Sequence, residues 1–315
     1  MRWMGRADVY LQPDAEDPVL SAATVLRLAR AHCTRAEAVT AVDESGGEAR
    51  VYLVDDSVVV KTQRPHRVRP KTSLAKEARL LEHLAGALAG RIPTVFGHDR
   101  VETPEGSVEY VVMSRVPGQA AGHVSVTGPA RTRLLHTLGR LLRHLHSQPA
   151  DQLADSGLFP TDDDAGALRH RLEPALADLV EEINSRPGCW QLVPSPEVVA
   201  VRAIEALPSR FDAPVALHSN PGPTHAFVDA DGAFTGVIDF GDSYLSHPAL
   251  DLRTWPAVSD RLALHEGYLD GEAPQGDFEA VWTVAMIYAD MKAIAGRAEP
   301  AALAGEDLTR RLAQL

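Results

Sequence analysis

A lysine and a glutamate in the first third of the sequence are spaced so that they could hold phosphate. Lys61 ends the apolar segment SVVVK, which has the composition of a β-strand, and Glu77 follows sixteen residues later inside a predicted helix. A strand lysine that pairs with a glutamate on the next helix can contact the phosphates of a bound nucleotide. A lysine at the end of an apolar strand is also common at protein surfaces, so this interpretation depends on partners elsewhere in the chain.

Two carboxylates in the second half of the sequence could hold a metal ion beside those phosphates. Asp239 and Asp242 flank Phe240-Gly241 at the end of the apolar strand GVIDF. Carboxylate oxygens at a strand end are ligands that Mg²⁺ prefers, together with phosphate oxygens. Taken alone, the same residues are equally well explained by an ordinary Asp-Gly turn. The segment HSNPGPTH at 218–225 precedes this strand by one hairpin, and that order favours the metal site.

The residues on either side of Lys61 give weaker signals. Gly46 and Gly47 lie in a predicted strand–turn–strand, where a backbone could cover phosphates, but they do not complete a G-x-G-x-x-G motif. A basic run follows Lys61, and it predicts a solvated loop, with contact to a nucleotide or an anionic substrate as the alternative. Its members are Arg64, Arg67, Arg69 and Lys71.

The elements that must position these residues change character near residue 116. Before it, strand patterns cover residues 36–63 and 108–113, and an amphipathic helix is predicted over 72–90 between them. After VPG at 116–118, apolar residues recur mostly with helical spacing. The other predicted elements are helices at 19–32, 131–147, 165–185, 196–207 and through most of 248–315, and a compact β region at 215–240. The pattern predicts a small β-rich lobe at 1–115 and a larger α-rich lobe at 116–315.

The composition is that of a soluble globular protein and argues against several functional classes. The 315 residues are 45% hydrophobic and carry a formal net charge of −12, which disfavours a nucleic-acid-binding surface. Cys33 and Cys189 form no CxxC, and neither HExxH nor GxSxG is present, so disulfide scaffolds, zinc hydrolases and α/β-hydrolases are disfavoured. With no signal peptide and no membrane-length apolar run, we expect a cytoplasmic monomer or homodimer that binds no membrane.

The order HSNPGPTH, strand–turn–strand, VIDFGD resembles the aminoglycoside phosphotransferase / choline-kinase-like family. The sequence motif of that family is H-G-D-x-x-x-x-N followed by I-D-F/W. The family also has a Leu-rich helix that ends in Leu-His, to which GRLLRHLHS at 139–147 is similar. The resemblance covers roughly residues 38–292. It implies an α+β, bilobal protein-kinase-like fold with a small antiparallel β-rich N-lobe and a larger α-rich C-lobe.

The resemblance implies a site for ATP or GTP between the two lobes. Lys61 would contact the nucleotide phosphates, and Glu77 would orient Lys61. Residues 113–116 would link the lobes and bind the edges of adenine through backbone groups. The other positions assigned to the nucleotide on this basis are Gly46, Gly47, Met113, Ser114, Val116 and Ile238.

The resemblance also implies the reacting groups, and two of them depart from the family. Asp239 matches the Mg²⁺-binding aspartate, His218 a histidine that braces the catalytic loop, and Asp251 a downstream aspartate that holds this loop. The catalytic aspartate of the family falls on Asn220, which is no base, and a general base contributes roughly 10²–10⁴-fold to rate. The metal-binding asparagine falls on His225, which could ligate a metal, contact phosphate or contact the loop backbone. We therefore expect an inactivated or divergent enzyme.

Three functions are compatible with these residues. The leading one is a kinase that phosphorylates a hydroxyl group of a small molecule, such as an aminoglycoside, an amino alcohol or a sugar. The second is a nucleotide-binding pseudokinase with a regulatory or ligand-binding role, motivated by Asn220 and His225. The third is a substrate-binding module that uses no nucleotide. The carboxylates that could bind a cationic substrate, with surface solubility as the alternative explanation, are Asp242, Glu266 and Asp290.

Overall fold

The computed structural model describes residues 10–70, 72–210, 213–274, 276–296 and 301–315. Lys71, a member of the basic run, lies outside these residues. The first part of the chain forms a five-stranded antiparallel sheet with the order β1-β2-β3-β5-β4. Its strands are β1 Val39–Asp43, β2 Ala49–Val54, β3 Val58–Gln63, β4 Val95–Thr103 and β5 Gly106–Ser114. Helix α1 (Ala22–His32), helix α2 (Leu74–Leu84) and a short 3-10 helix (Pro65–Arg67) accompany the sheet.

The alternation of side chains along β3 explains why Lys61 lies on the inner face of the sheet. Val58 and Val60 belong to a small core between the sheet and α1, whereas Val59 packs against the main core on the opposite face. Since successive strand residues point to opposite faces, Lys61 shares the face of Val59. The same rule divides β5, where Val112 belongs to the α1 core and its neighbours to the main core.

The second part of the chain is mainly helical. Its strands are β6 Gln119–Ala120, β7 Val215–Leu217, β8 Ala226–Val228, β9 Phe234–Val237 and β10 Tyr244–Ser246, which form the antiparallel sheets β6-β8-β9 and β7-β10. The helices are α3 Gly128–His146, α4 Asp151–Ala154, α5 Ala165–Asn184, α6 Pro196–Glu205, α7 Val258–Leu269, α8 Phe278–Gly296 and α9 Ala301–Leu312. Short 3-10 helices cover Ala121–His123 and Pro248–Arg253. Most residues of α8 are buried, so this helix lies at the centre of the main core.

Two glycines allow α3 and α7 to pack with their backbones in contact. A Cβ atom on Gly139 would lie 2.4 Å from the carbonyl oxygen of Leu264, and one on Gly267 would lie 2.3 Å from the Cα of His136. No larger residue fits at either position without moving one helix. Because their backbones are in contact, helices α3 and α7 form a closely packed support for the elements that contact them.

The predicted α+β fold class, with an antiparallel sheet before a helical region, is confirmed. The helix predicted over 72–90 is shorter than expected, because α2 ends at Leu84 and turns follow it. Strand β4 was not predicted; its burial pattern is irregular, with Val101 its one buried residue. Among the described residues, no helix is long and apolar enough to cross a membrane.

Candidate active site

Three charged residues from distant parts of the chain meet where the sheet faces the helical region. The Nζ of Lys61 lies 2.8 Å from Oε2 of Glu77 and 2.5 Å from Oδ1 of Asp239. The other carboxylate oxygen of Glu77 accepts a hydrogen bond of 3.2 Å from the backbone N–H of Phe240. Strand β3, helix α2 and the segment after β9 are thus joined by one ion-paired cluster.

The charges of this cluster are set by burial and by mutual attraction. Burial alone would lower the pKa of Lys61, but the charges of Asp239 and Glu77 outweigh it and raise that pKa. The positive charge of Lys61 is the main cause that lowers the pKa of Asp239. Burial raises the pKa of Glu77, and Lys61 opposes this shift. Lys61 and Asp239 are therefore both charged at neutral pH.

Two non-glycine residues with left-handed backbone conformations line this region. Asp239 has φ +71° and Ser219 has φ +81°, a conformation that costs L-residues free energy and concentrates at functional sites. The Asp239 side chain is 42% exposed, whereas those of Lys61 and Glu77 are 13% and 1% exposed. Asp239 is the member of the cluster with most access to solvent.

A buried carboxylate accepts hydrogen bonds from the backbone of the loop that contains Ser219. Asp251, on the 3-10 helix Pro248–Arg253, accepts hydrogen bonds from the backbone N–H of His218 at 2.8 Å and of Ser219 at 2.7 Å. His146, at the end of α3, lies 3.1 Å from the same carboxylate, and its other ring nitrogen lies 3.1 Å from the hydroxyl of Tyr268 on α7. These contacts agree with the role expected for Asp251, which was to hold this loop.

His218 is a neutral, buried part of this loop. Its Nε2 donates a 3.0 Å hydrogen bond to the carbonyl of Ile238, and its ring lies 4.4 Å from the ring of Phe240, centroid to centroid. Burial lowers the pKa of His218 to about 4. His218 therefore joins the loop to the segment that carries Asp239, and it is uncharged at neutral pH.

Asn220 and His225, the two residues that depart from the family pattern, contact one another. Nδ1 of His225 lies 2.8 Å from the backbone carbonyl of Asn220. Nε2 of His225 lies 3.4 Å from Oδ2 of Asp239, the carboxylate oxygen that does not contact Lys61. The side chain of Asn220 is exposed, and its amide oxygen lies next to Gly222. His225 therefore contacts the loop backbone, one of the three roles expected for it. The same ring faces the carboxylate of Asp239, which the family resemblance predicts to bind Mg²⁺.

The remaining nucleotide candidates lie in the β1–β2 loop, at or just after the end of β5, and just after β9. Gly46 and Gly47 form the β1–β2 hairpin loop, and Met113 and Ser114 end β5. Val116 is buried with its side chain against Gly236 of β9, and Ile238 follows that strand. Their contacts with a nucleotide remain a prediction.

The basic run is not simply a solvated loop. Arg64 is largely buried and lies 2.8 Å from Asp17. Arg69 contacts Asp242 at 2.9 Å and also pairs with Glu48 of the β1–β2 hairpin. Arg69 therefore connects the β1–β2 hairpin to the segment that carries Asp239. It also forms an ion pair with Asp242, the carboxylate predicted to bind substrate.

The three carboxylates predicted to bind substrate have three different environments. Asp242 is paired with Arg69, and Glu266 is exposed on α7 beside His136 of α3. Asp290 is completely buried on α8 and ion-paired with Arg261. The prediction for Asp290 is wrong, because an inaccessible, paired carboxylate cannot bind an amine from solution.

The donor set fits a metal ion that is shared with a second ligand. Among the described residues, no group of three or more histidine, cysteine or acidic side chains is arranged to hold a metal. Asp239 and His225 supply two donors on adjacent loops, and only one of them is the oxygen that Mg²⁺ prefers. The remaining ligands would be phosphate oxygens and water.

Solved structures that resemble this chain include macrolide and aminoglycoside phosphotransferases. The macrolide 2'-phosphotransferase of Brachybacterium faecium is 19% identical, with a TM-score of 0.57, and the match covers 90% of this chain and 97% of that one. The GDP complex of aminoglycoside 2'-phosphotransferase-IIIa is 17% identical, with a TM-score of 0.59 and coverage of 94% and 99%. A streptomycin–ATP complex of a 2″-type aminoglycoside phosphotransferase gives 17% identity, a TM-score of 0.57 and coverage of 88% and 91%. At these identities the likeness shows the fold. No curated protein matches significantly.

The sequence itself matches a family model over most of its length. The match runs from residue 39 to residue 279, so it includes the strand of Lys61, the loop of Asn220 and the carboxylate of Asp239. This chain belongs to the phosphotransferase enzyme family known as APH.

Proposed function

We propose that this protein is a small-molecule kinase that transfers the γ-phosphate of ATP or GTP to a hydroxyl group. The observation that carries the proposal is the cluster in which Lys61 contacts both Glu77 and Asp239. In this proposal residues 1–115 bind the nucleotide phosphates, and residues 116–315 supply the reacting groups and the substrate pocket. Because the reaction consumes ATP or GTP, we place it in the cytoplasm.

Nucleotide binding would change the partners of Lys61. The ammonium is held from α2 by Glu77, whose second oxygen is fixed by the N–H of Phe240. Phosphate oxygens can therefore replace Asp239 as the second partner of Lys61 while the position of Nζ is kept. This exchange would free both oxygens of Asp239 for a cation.

Asp239 and His225 would hold the metal ion of the reaction. When bound, a divalent ion neutralises the charge that develops on the transferring phosphoryl group. His218 and Asp251 position the two loops that carry these ligands, through the carbonyl of Ile238 and the amides of the Asn220 loop.

Asn220 would set the rate of transfer. Its amide oxygen can accept a hydrogen bond from a substrate hydroxyl and so orient it, but it cannot take up the proton. Phosphoryl transfer depends mainly on positioning and electrostatics, so we expect slow transfer. Loss of the general base corresponds to a rate lower by roughly 10²–10⁴-fold.

The substrate would be a hydroxylated small molecule, and the acidity of the chain favours one that carries positive charge. Glu266 is an exposed carboxylate, and the chain has a formal net charge of −12. Relatives with the same fold have been solved with kanamycin, streptomycin and gentamicin, and others are macrolide 2'-phosphotransferases. We therefore propose aminoglycosides first, followed by amino alcohols, sugars and macrolides.

The test is to restore the carboxylate with Asn220→Asp. Binding of ATP and GTP is measured by calorimetry with and without Mg²⁺, and transfer from radiolabelled nucleotide is measured over the substrate panel. We expect both proteins to bind nucleotide, and we expect Asn220→Asp to transfer phosphate faster by roughly 10²–10⁴-fold. Lys61→Ala is the control, and it should lose nucleotide binding.

A nucleotide-binding pseudokinase is the second candidate, and the neutral side chain of Asn220 is the observation that favours it. If Asn220→Asp binds nucleotide but transfers phosphate to no substrate of the panel, the kinase proposal fails and the pseudokinase is supported. If the unaltered protein binds neither nucleotide, both proposals fail. The third function, a binding module without nucleotide, would then be the one left.

A further inference from the structure

The hydrogen bond of His225 to the loop backbone determines which ring nitrogen carries the proton. Nδ1 lies 2.8 Å from the carbonyl oxygen of Asn220, and a carbonyl oxygen can only accept a hydrogen bond. Nδ1 must therefore be the protonated nitrogen. In the neutral ring, Nε2 then presents a lone pair.

That lone pair faces a carboxylate oxygen. Nε2 of His225 lies 3.4 Å from Oδ2 of Asp239, while Oδ1 of the same carboxylate is occupied by the ammonium of Lys61. Two acceptors that face one another repel unless something positive lies between them. Either a second proton on the ring or a metal ion can satisfy both atoms.

The surroundings have the form of a metal site. A histidine that ligates a metal commonly donates its other N–H to a backbone carbonyl, which fixes the ring orientation, and His225 makes this bond to Asn220. Two ligand atoms at about 2.1 Å from one ion, at a tetrahedral angle, are about 3.4 Å apart. The distance between Nε2 of His225 and Oδ2 of Asp239 is also 3.4 Å.

The imidazole changes which ion such a site prefers. Mg²⁺ prefers oxygen ligands and binds nitrogen poorly. Imidazole nitrogen is a good ligand for Co²⁺, Ni²⁺ and Zn²⁺, whose affinity for mixed nitrogen and oxygen sites exceeds that of the earlier divalent ions. Replacement of an amide oxygen by the Nε2 of His225 should therefore move the preference of the site away from Mg²⁺.

We propose that Asp239 and His225 form a site for a first-row transition-metal ion, and that His225 makes this cleft prefer such an ion to Mg²⁺. The inference rests on the proposed function in one respect, since nucleotide phosphates would supply further ligands. With two protein ligands alone, we expect binding to be weak, and nucleotide should strengthen it.

The test uses Co²⁺, whose visible absorption spectrum reports nitrogen ligation without any turnover. Co²⁺ and Mg²⁺ are titrated into the full chain, first alone and then with a non-hydrolysable ATP or GTP analogue. We expect Co²⁺ to bind at least about tenfold more tightly than Mg²⁺, and His225→Asn to remove most of this preference. His98→Asn is the matched control, because His98 on β4 forms a comparable pair, at 2.7 Å, with Glu109 on β5.

The outcomes separate this inference from the proposed function. If the analogue binds and the ratio of Co²⁺ to Mg²⁺ affinity is unchanged by His225→Asn, the metal inference is overturned and the kinase proposal stands. If no nucleotide binds but the Co²⁺ spectrum is lost in His225→Asn and kept in His98→Asn, the metal inference stands and the kinase proposal fails. A ¹H–¹⁵N NMR spectrum of the imidazole rings gives a further check. Two protonated nitrogens on His225 in the presence of Co²⁺ would mean an ion pair with Asp239 and would also overturn the inference.

Discussion

His218 predicts how the stability of the protein depends on pH. The ring is completely buried, donates to the carbonyl of Ile238, and has its pKa lowered to about 4. In the unfolded chain the pKa of histidine is about 6.5. Between these two values the unfolded chain binds more protons than the folded one, so the free energy of unfolding decreases as the pH falls through this range.

The size of the effect follows from the two pKa values. Lowering the pH from 7 to 5 should remove about 2 kcal/mol of the free energy of unfolding through His218 alone, and complete titration should remove about 3 kcal/mol. Above pH 6.5 the contribution is fully present. His218→Gln keeps an N–H donor for the carbonyl of Ile238 but cannot be protonated, so it removes this pH dependence.

The assay is urea unfolding of both proteins at pH 7 and pH 5. The substitution itself changes stability by losing the contact with Phe240, so the quantity that matters is the difference between the two pH values. We expect this difference to be about 2 kcal/mol smaller for His218→Gln than for the unaltered protein. Equal differences in the two proteins would show that His218 is accessible or already protonated, and the reasoning about the loop would be wrong.

Two further substitutions test the supports of the candidate site. Gly139→Ala places a Cβ atom 2.4 Å from a backbone oxygen of α7, so we expect a loss of about 1–3 kcal/mol, measured by urea unfolding. Gly86→Ala, where nothing lies within 4 Å, is its control, and equal effects would contradict the close helix contact. Asp251→Asn replaces by an NH2 group one of the two oxygens that accept hydrogen bonds from the backbone N–H groups of His218 and Ser219, and should cost about 1–3 kcal/mol. A loss below about 1 kcal/mol would mean that the loop does not depend on this carboxylate.

The sequence predicted the elements that have a clear period, and it failed for those without one. The amphipathic pattern predicts the helix that the structure places at Gly128–His146, and the β-branched segments predict β2 and β3. Strand β4 was missed because VFGHDRVET shows no regular alternation along the edge of the sheet. Local patterns report which side of an element is buried, and an edge strand with little burial gives no such pattern.

The residues of the candidate site were predicted, but of the contacts of Lys61 only the one with Glu77 was predicted. The pairing of Lys61 with Glu77 follows from a strand and the next helix, so it is nearly local. The contacts of Arg69 with Asp242 and of Lys61 with Asp239 join residues far apart in sequence, and nothing local selects these partners. Asp290 could have been recognised as buried, since it directly follows the apolar run VAMIYA of α8.

The chain of contacts from Tyr268 through His146 to Asp251 affects how a mutational scan of this protein would be interpreted. Tyr268 lies on α7 and His146 on α3, the two helices that meet through glycines, and both lead to the carboxylate that holds the loop of Asn220. A substitution that shifts these helices would displace the loop without touching a ligand. Substitutions at the α3–α7 interface would then abolish activity in such a scan, just as substitutions of active-site residues do. Variants selected on α7 for a new substrate would, for the same reason, change the rate of phosphate transfer together with specificity.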